Sequence, residues 1–323
     1  STWSKTSVFD RVDGRHLGSF ENDDTYLKQQ IGLIIAELLK SDNPEVQLEA
    51  ASAAGKLAQV AVERQLAMLS QTSRNANVRT AALKALFDLK SDRLTSALQK
   101  AFNDSDPEVR SAALAILPQS NIPQEQAVSL SKQIMNNGTY QEQQVALNSL
   151  GSMQHPSAVK ALDQYLGWLE TGKAIPEIQL DILEAVNSQN DPELAARVEA
   201  FQAKKPADDP LSPYLETLSG GNSEKGQDIF YTHESAQCVR CHTIFETGGT
   251  MGPGLSGVGA EHTAMELLTA LITPSASYEE GYHMITLKLS NGETVTGLVQ
   301  QETEEAITIR SGSQQAQTLS LIH

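Results

Sequence analysis

Asp106-Pro107-Glu108-Val109-Arg110-Ser111-Ala112-Ala113-Leu114-Ala115-Ile116-Leu117 decides most of the fold. A helix starts readily here. Proline is tolerated in a first helical turn, because its missing N–H would have had no partner there. Val109, Ala112, Ala113 and Ile116 then recur at helical spacing, and the paired alanines let a neighbouring helix come close. The phrase occurs earlier as Asn75-Ala76-Asn77-Val78-Arg79-Thr80-Ala81-Ala82-Leu83-Lys84-Ala85-Leu86, and as Asn43-Pro44-Glu45-Val46 leading to Leu57. Weaker copies begin near Glu142 (Val145, Ala146, Leu147, Leu150) and at Pro176 (Ile178, Ile182, Leu183, Val186). The copies at 46, 78, 109, 142 and 178 lie 31 to 36 residues apart.

That period is one helix pair, close to but shorter than the HEAT and armadillo range. Residues 24–215 therefore resemble HEAT repeats, with five expected. In such a stack each pair buries its apolar stripe only against the next pair. An irregular all-α domain is the alternative. In both readings the stripe is core, and His155 and the methionines of this region pack or face solvent. Residues 1–23 are polar and read as irregular, with Trp3, Val8, Phe9, Leu17 and Phe20 available to pack on the first helices. Residues 203–221 read as a linker and domain junction, marked by Pro206, Pro210, Pro213 and Gly220-Gly221.

The remaining third holds both cysteines of the chain, in Cys238-Val239-Arg240-Cys241-His242. C-x-x-C-H is the attachment signature of a c-type haem. Two thiols three positions apart reach the two vinyl groups along one haem edge, and the next residue, His242, can ligate the iron. A disulfide across so short a loop would hold little together. A tetrahedral zinc site would need more ligands of the right kind nearby, and there is no second Cys pair. A thioredoxin-like pair stays open on these residues, although the strand-then-helix context is missing and the histidine would have no role. Upstream, Asn222 or Ser223 would cap a short helix through Phe230. Downstream, Glu261 to Leu271 reads as a helix that stops before Pro274, with Leu267, Leu268, Leu271 and Ile272 on one face. The pattern then turns to period two. Residues 282–289 alternate, Asn291-Gly292 is a hairpin turn, residues 293–299 return, and 306–309 and 317–322 follow as strands.

The flanks carry a resemblance. Gly252-Pro253-Gly254-Leu255-Ser256-Gly257-Val258-Gly259 is similar to the G-P-x-L-x-G-x-G loop of class I cytochromes c. It implies that the Pro253 carbonyl orients His242 and that Leu255 covers the haem face. Together with Gly226, Phe230, Gly248-Gly249, Leu271-Ile272, Pro274-Ser275, Gly281-Tyr282 and Thr296-Gly297, residues 220–323 resemble the haem-binding domain of the Pirellula/Verrucomicrobium type, a cytochrome c variant. In that family the domain commonly follows helical repeats. Members usually continue past the sheet into a Ser-x-Met-Pro segment whose Met is the sixth iron ligand. This chain ends at His323, so the in-chain candidates are Met284, Met251, His262, His283 and His323.

The fold expected is α+β and mainly α. An irregular segment (1–23) and a HEAT-like α-solenoid (24–215) precede a monohaem cytochrome c domain (216–323) with a small antiparallel β-meander (282–323). The function implied is electron transfer through one covalent haem c, between a dehydrogenase domain or subunit and an electron acceptor, in an exported, periplasmic bacterial protein. No acid–base pair, nucleotide loop or catalytic triad marks an enzyme in its own right. The alternatives are an interaction scaffold, or a haem sensor or enzyme with an open sixth position. A formal charge of −16, from 24 Lys and Arg against 40 Asp and Glu, argues against nucleic acid and anionic membranes as partners. No apolar run is long enough for a transmembrane segment. The chain opens at Ser1 without Met or signal peptide and reads as a mature or excised product.

Overall fold

The computed structural model describes residues 5–9, 15–21, 25–274, 282–311 and 316–320. Trp3, Ser275, Gly281, Leu321, Ile322 and His323 lie outside them. The chain divides into two compact units, Ser1–Val198 and Glu199–His323.

Unit 1 opens with an antiparallel pair, β1 (Lys5–Phe9) and β2 (His16–Glu21), in register from Lys5 opposite Glu21 to Val8 opposite Gly18. The N-terminal segment is thus a strand pair rather than irregular. The helices α1 (Thr25–Leu38), α2 (Pro44–Lys56), α3 (Glu63–Thr72), α4 (Ala76–Asp88), α5 (Leu94–Ala101), α6 (Pro107–Ile116), α7 (Gln124–Asn137), α8 (Tyr140–Ser152), α9 (Pro156–Glu170) and α10 (Pro176–Asn187) follow, and α11 (Pro192–Gln202) crosses the division. The five sequence copies are the even-numbered helices. α2, α4, α6, α8 and α10 stack in one row, and α1, α3, α5, α7 and α9 pack behind them.

Local chemistry sets the starts. Asn43 Oδ1 accepts from Glu45 N at 2.9 Å, Asp106 Oδ1 from Glu108 N at 2.9 Å, and Thr139 forms a reciprocal capping box with Glu142. Small residues set the spacing of the row. A Cβ on Gly151 would stand 2.9 Å from Ala185 Cα, so α8 and α10 approach to backbone contact. Leu83, Leu98, Leu114, Leu147, Leu150 and Leu162 are fully buried, each contributing about 1.5–3 kcal/mol of transfer free energy.

Arginines stitch successive repeats. Arg79 Nε and Nη2 donate to Asp104 at 2.7 and 2.6 Å, while Nη1 donates to Ser73 O at 2.8 Å. Arg110 Nε and Nη2 donate to Glu142 at 2.6 and 3.0 Å, and its Nη1 to Asp104 O at 2.7 Å. Arg197 pairs with Glu170 and Asp163. The seam between α8 and α10 is closed differently: Gln189 Nε2 donates to the carbonyls of Leu150, Gly151 and Met153 at 2.7–3.1 Å.

The stretch read as a linker and domain junction, residues 203–221, lies inside unit 2, and it is built. Ser212–Leu218 forms a 3-10 helix that packs on α14 (Ala264–Ile272), and Lys205 pairs with the buried Glu216 at 2.6 Å. A carboxylate removed from water needs such a partner. Then come α12 (Ser223–Thr232), capped by Asn222, the strands β3 (Thr243–Ile244) and β4 (Thr247–Gly248), and α13 (Val258–Glu261). The helix expected from Glu261 to Leu271 starts at Ala264 instead, because Thr263 and Glu266 form a capping box there. Last, β5 (Met284–Lys288), β6 (Thr294–Glu302), β7 (Ala306–Arg310) and β8 (Gln317–Ser320) form an antiparallel meander in chain order. Gly292 takes φ +88° in the Asn291-Gly292 turn, and the register shifts between Val299 and Gln301.

Candidate functional site

The site is built on a 3-10 turn, Cys238–Arg240. Gln237, in the left-handed region at φ +46°, turns the chain into it. The Cys238 carbonyl accepts from Cys241 N at 3.1 Å and from His242 N at 3.0 Å. This tight ring brings the two cysteines and the histidine onto one short stretch. Both thiols are free; Cys238 is half-buried and Cys241 exposed.

The chain then reverses through β3 and β4, with Phe245 and Glu246 both at positive φ (+46° and +67°) in the connecting turn. A two-residue turn of this sign suits the twist of a hairpin. Beyond β4 the glycine-rich loop runs back beside the cysteine turn, held by three backbone bonds. Gly249 N donates to Val239 O, Gly252 N to Cys241 O and Leu255 N to Thr243 O, each at 2.8 Å.

That loop sets the imidazole. His242 Nδ1 lies 2.9 Å from the Pro253 carbonyl oxygen. A carbonyl can only accept, so Nδ1 carries the proton and, in the neutral ring, Nε2 carries the lone pair. Gly252 lies flat against the ring: a Cβ there would stand 2.5 Å from Cε1 and 2.8 Å from Nδ1. Any side chain at 252 would displace the histidine. Glycine is required at 249 as well, where a Cβ would overlap the Arg240 carbonyl.

The donor set fits a covalently attached haem. The iron of a haem comes with its porphyrin nitrogens and needs from the chain only axial donors. Here an imidazole with a fixed tautomer sits next to two free thiols. Among the described residues no group of three or more His, Cys, Asp or Glu side chains is placed to hold a bare metal ion. Between α12 and β3 the surface is largely apolar, with Ser223, Glu224 and Gln227 at its polar side. Gly226, Phe230, Tyr231, Ile244 and Phe245 line a groove of about 480 Å³. Phe245 is 82 % exposed and Leu271 75 %, and α12 has no buried residue.

The other candidates are spread over several elements. Leu255 is half-buried in the loop, beside Pro253. Met251 precedes Gly252 in that same loop, and His262 is exposed at the end of α13. Met284 opens β5, 46 % exposed, next to His283. It pairs with Leu298, which pairs with Arg310, so the three share one face of the sheet. Arg310 Nη2 donates to Thr250 O at 3.0 Å. Sequence reading missed this contact between the sheet and the loop, which joins positions 60 residues apart.

A search of curated proteins finds no match to this chain. Among solved structures, human deoxyhypusine hydroxylase in complex with glycerol is similar over 60 % of this chain and 87 % of its own, at 14 % identity. Its TM-score of 0.25 carries no argument. The family comparison reaches unit 1 alone: residues 31–118, from within α1 to just beyond α6, match the family of HEAT repeats.

Proposed function

We propose that the chain is an electron-transfer protein in which a HEAT-repeat scaffold bears a unit holding one covalent haem c. It would accept electrons from a dehydrogenase domain or subunit and pass them to an acceptor protein, in an exported, periplasmic setting. The observation that carries this is the hydrogen bond from His242 Nδ1 to Pro253 O, made beside two free thiols in one turn. Cys238 and Cys241 would form the thioether bonds, and His242 would give Nε2 to the iron. Pro253 holds the tautomer and, by accepting a hydrogen bond from the ring N–H, makes the imidazole a stronger donor. Leu255 would contribute apolar cover. When bound, the haem supplies a one-electron iron couple, and the chain's part is ligation, burial and orientation.

A scaffold reading, in which the repeats bind a partner and the haem is secondary, draws on the HEAT match and on a polar groove of about 820 Å³ between α7 and α9. Glu125, Lys132, Gln133 and Lys160 line that groove. Stacked repeats present extended surfaces to partners.

The test is direct. The protein is produced in an export and haem-attachment host, denatured, extracted with acidic acetone and stained for haem. Haem should stay on the polypeptide, and Cys241→Ser should lower the holoprotein yield sharply. Haem that leaves with the solvent, or a chain that carries none, ends the electron-transfer reading and leaves the scaffold. Carbon monoxide binding to the reduced protein then separates an open sixth position, as in a sensor or enzyme, from two strong axial ligands.

A further inference from the structure

Arg310 ends β7 in a tightly fixed backbone. Gly297 of β6 lies so close that a Cβ on it would stand 2.8 Å from Arg310 O, and the next residue, Ser311, donates its hydroxyl to Thr296 O at 2.6 Å. From this anchored position the guanidinium reaches across to the glycine-rich loop. Nη2 donates to Thr250 O at 3.0 Å, and Nη1 lies 3.5 Å from Thr250 Oγ1. Thr250 sits between the two backbone bonds that zip the loop to the cysteine turn, those of Gly249 and Gly252. Three residues further on, Pro253 accepts from the His242 ring. The loop is therefore gripped on one side by the cysteine turn and on the other by the sheet.

We propose that Arg310 is a positioning residue for His242. By clamping Thr250 it fixes the loop that presents the Pro253 carbonyl to Nδ1–H, and so sets how strongly the imidazole donates to a bound iron. The tuning of iron rests on the haem reading above; the clamp itself does not. The physical link is general: the hydrogen bond on the far nitrogen of a ligating histidine fixes the ring and raises its basicity. An arginine suits the task, because its rigid fork, which stays charged, holds a carbonyl in a way a flexible ammonium does not.

The first arm of the test uses the full chain without haem. Amide hydrogen exchange by NMR is compared in the parent protein, Arg310→Lys and Arg310→Gln. In Arg310→Gln the amides of Gly249 and Gly252 and the His242 ring N–H should exchange at least tenfold faster, while the amides of Thr296 and Leu298 in β6 stay protected. Arg310→Lys should recover part of the protection. Unchanged loop exchange overturns the proposal. So does loss of protection in β6 to the same degree, which would make Arg310 a prop of the sheet alone. The second arm uses the haem-loaded chain. Arg310→Lys keeps the charge, so a raised midpoint potential reports a weaker ring hydrogen bond and a poorer donor to ferric iron. A potential equal to the parent's, with the loop loosened, overturns the tuning. A parent that takes up no haem overturns the haem reading instead, and the exchange arm alone then decides the clamp.

Discussion

Replacing Glu142 by alanine should be among the most damaging single changes in unit 1. Its side chain is fully buried. It accepts from Arg110 Nε at 2.6 Å and Nη2 at 3.0 Å, and from Thr139 N at 2.9 Å and Oγ1 at 3.0 Å. Breaking a buried pair by removing one partner costs about 3–5 kcal/mol. Arg110 is 21 % exposed and keeps its bond to Asp104 O, so some rehydration is open to it and the low end, about 3 kcal/mol, is expected. For a unit of this size that lowers the thermal midpoint by about 6–12 °C. Replacing both partners by apolar residues, Arg110→Met with Glu142→Leu, should cost less than Glu142→Ala, because no charge is then stranded and what remains is chiefly the lost capping box with Thr139, about 0.5–2 kcal/mol. Thermal and urea unfolding followed by circular dichroism measure both. A loss below about 1 kcal/mol for Glu142→Ala, or a double variant as unstable as the single one, would refute the reasoning. The pH dependence has a definite sign. Burial pushes the Glu142 carboxyl up, but the hydrogen bonds from Arg110 and Thr139 outweigh it and hold it below its ordinary value; Asp104 behaves alike through Arg79 and the Asp106 N–H. The unfolded chain therefore takes up these protons first as pH falls. The stabilisation is whole above the ordinary carboxylate value, about 4, and is lost as pH drops through the lower folded values. Glu142→Ala should show a flatter acid limb than the parent.

Gly151→Ala gains about 1 kcal/mol of helix propensity. It also places a methyl against the Ala185 backbone, at an overpacking cost of about 1–3 kcal/mol. A net loss of stability in urea unfolding is expected, and a gain would show that α8 and α10 do not touch there. Gly252→Ala drives a Cβ into the His242 ring, so holoprotein yield should fall several-fold while the far-UV spectrum is kept; parent-like haem loading would contradict the close approach.

The even-numbered helices were legible because each opens with a cap or proline and carries small apolar residues at fixed spacing. Their partners were not legible as copies: α3 follows a short 3-10 turn and α5 has no side-chain cap, so the two share no starting phrase. The strand pair β1–β2 was read as irregular although Asp13-Gly14, a hairpin dipeptide, lies between its strands in the sequence. Polar residues dominate there and hid the alternation. At the site, Pro253 and Gly252 fell at readable offsets from each other, and the structure puts both against His242. The turn at Phe245-Glu246 gave no sign, because neither residue is one that favours positive φ. The Arg310 contact was invisible for another reason: it depends on a sheet folding back over 60 positions, which no local pattern encodes.

The seams of the helix row differ in kind, and that bears on how the stack comes apart. A linear array of repeats behaves as a chain of units joined by nearest-neighbour couplings, and it parts first at its weakest joint. Between α4 and α8 the joints are ionic and share Asp104, whose carboxylate is held by Arg79 and whose carbonyl is held by Arg110. Three repeats are thereby tied into one cooperative block. Between α8 and α10 the joint is made of close backbone contact and two side-chain amides, those of Gln189 and Gln144, and a proton switches neither. Acid thus acts on the two kinds of joint unequally: it loosens the ionic block from α4 to α8 and leaves the amide joint between α8 and α10 as it was.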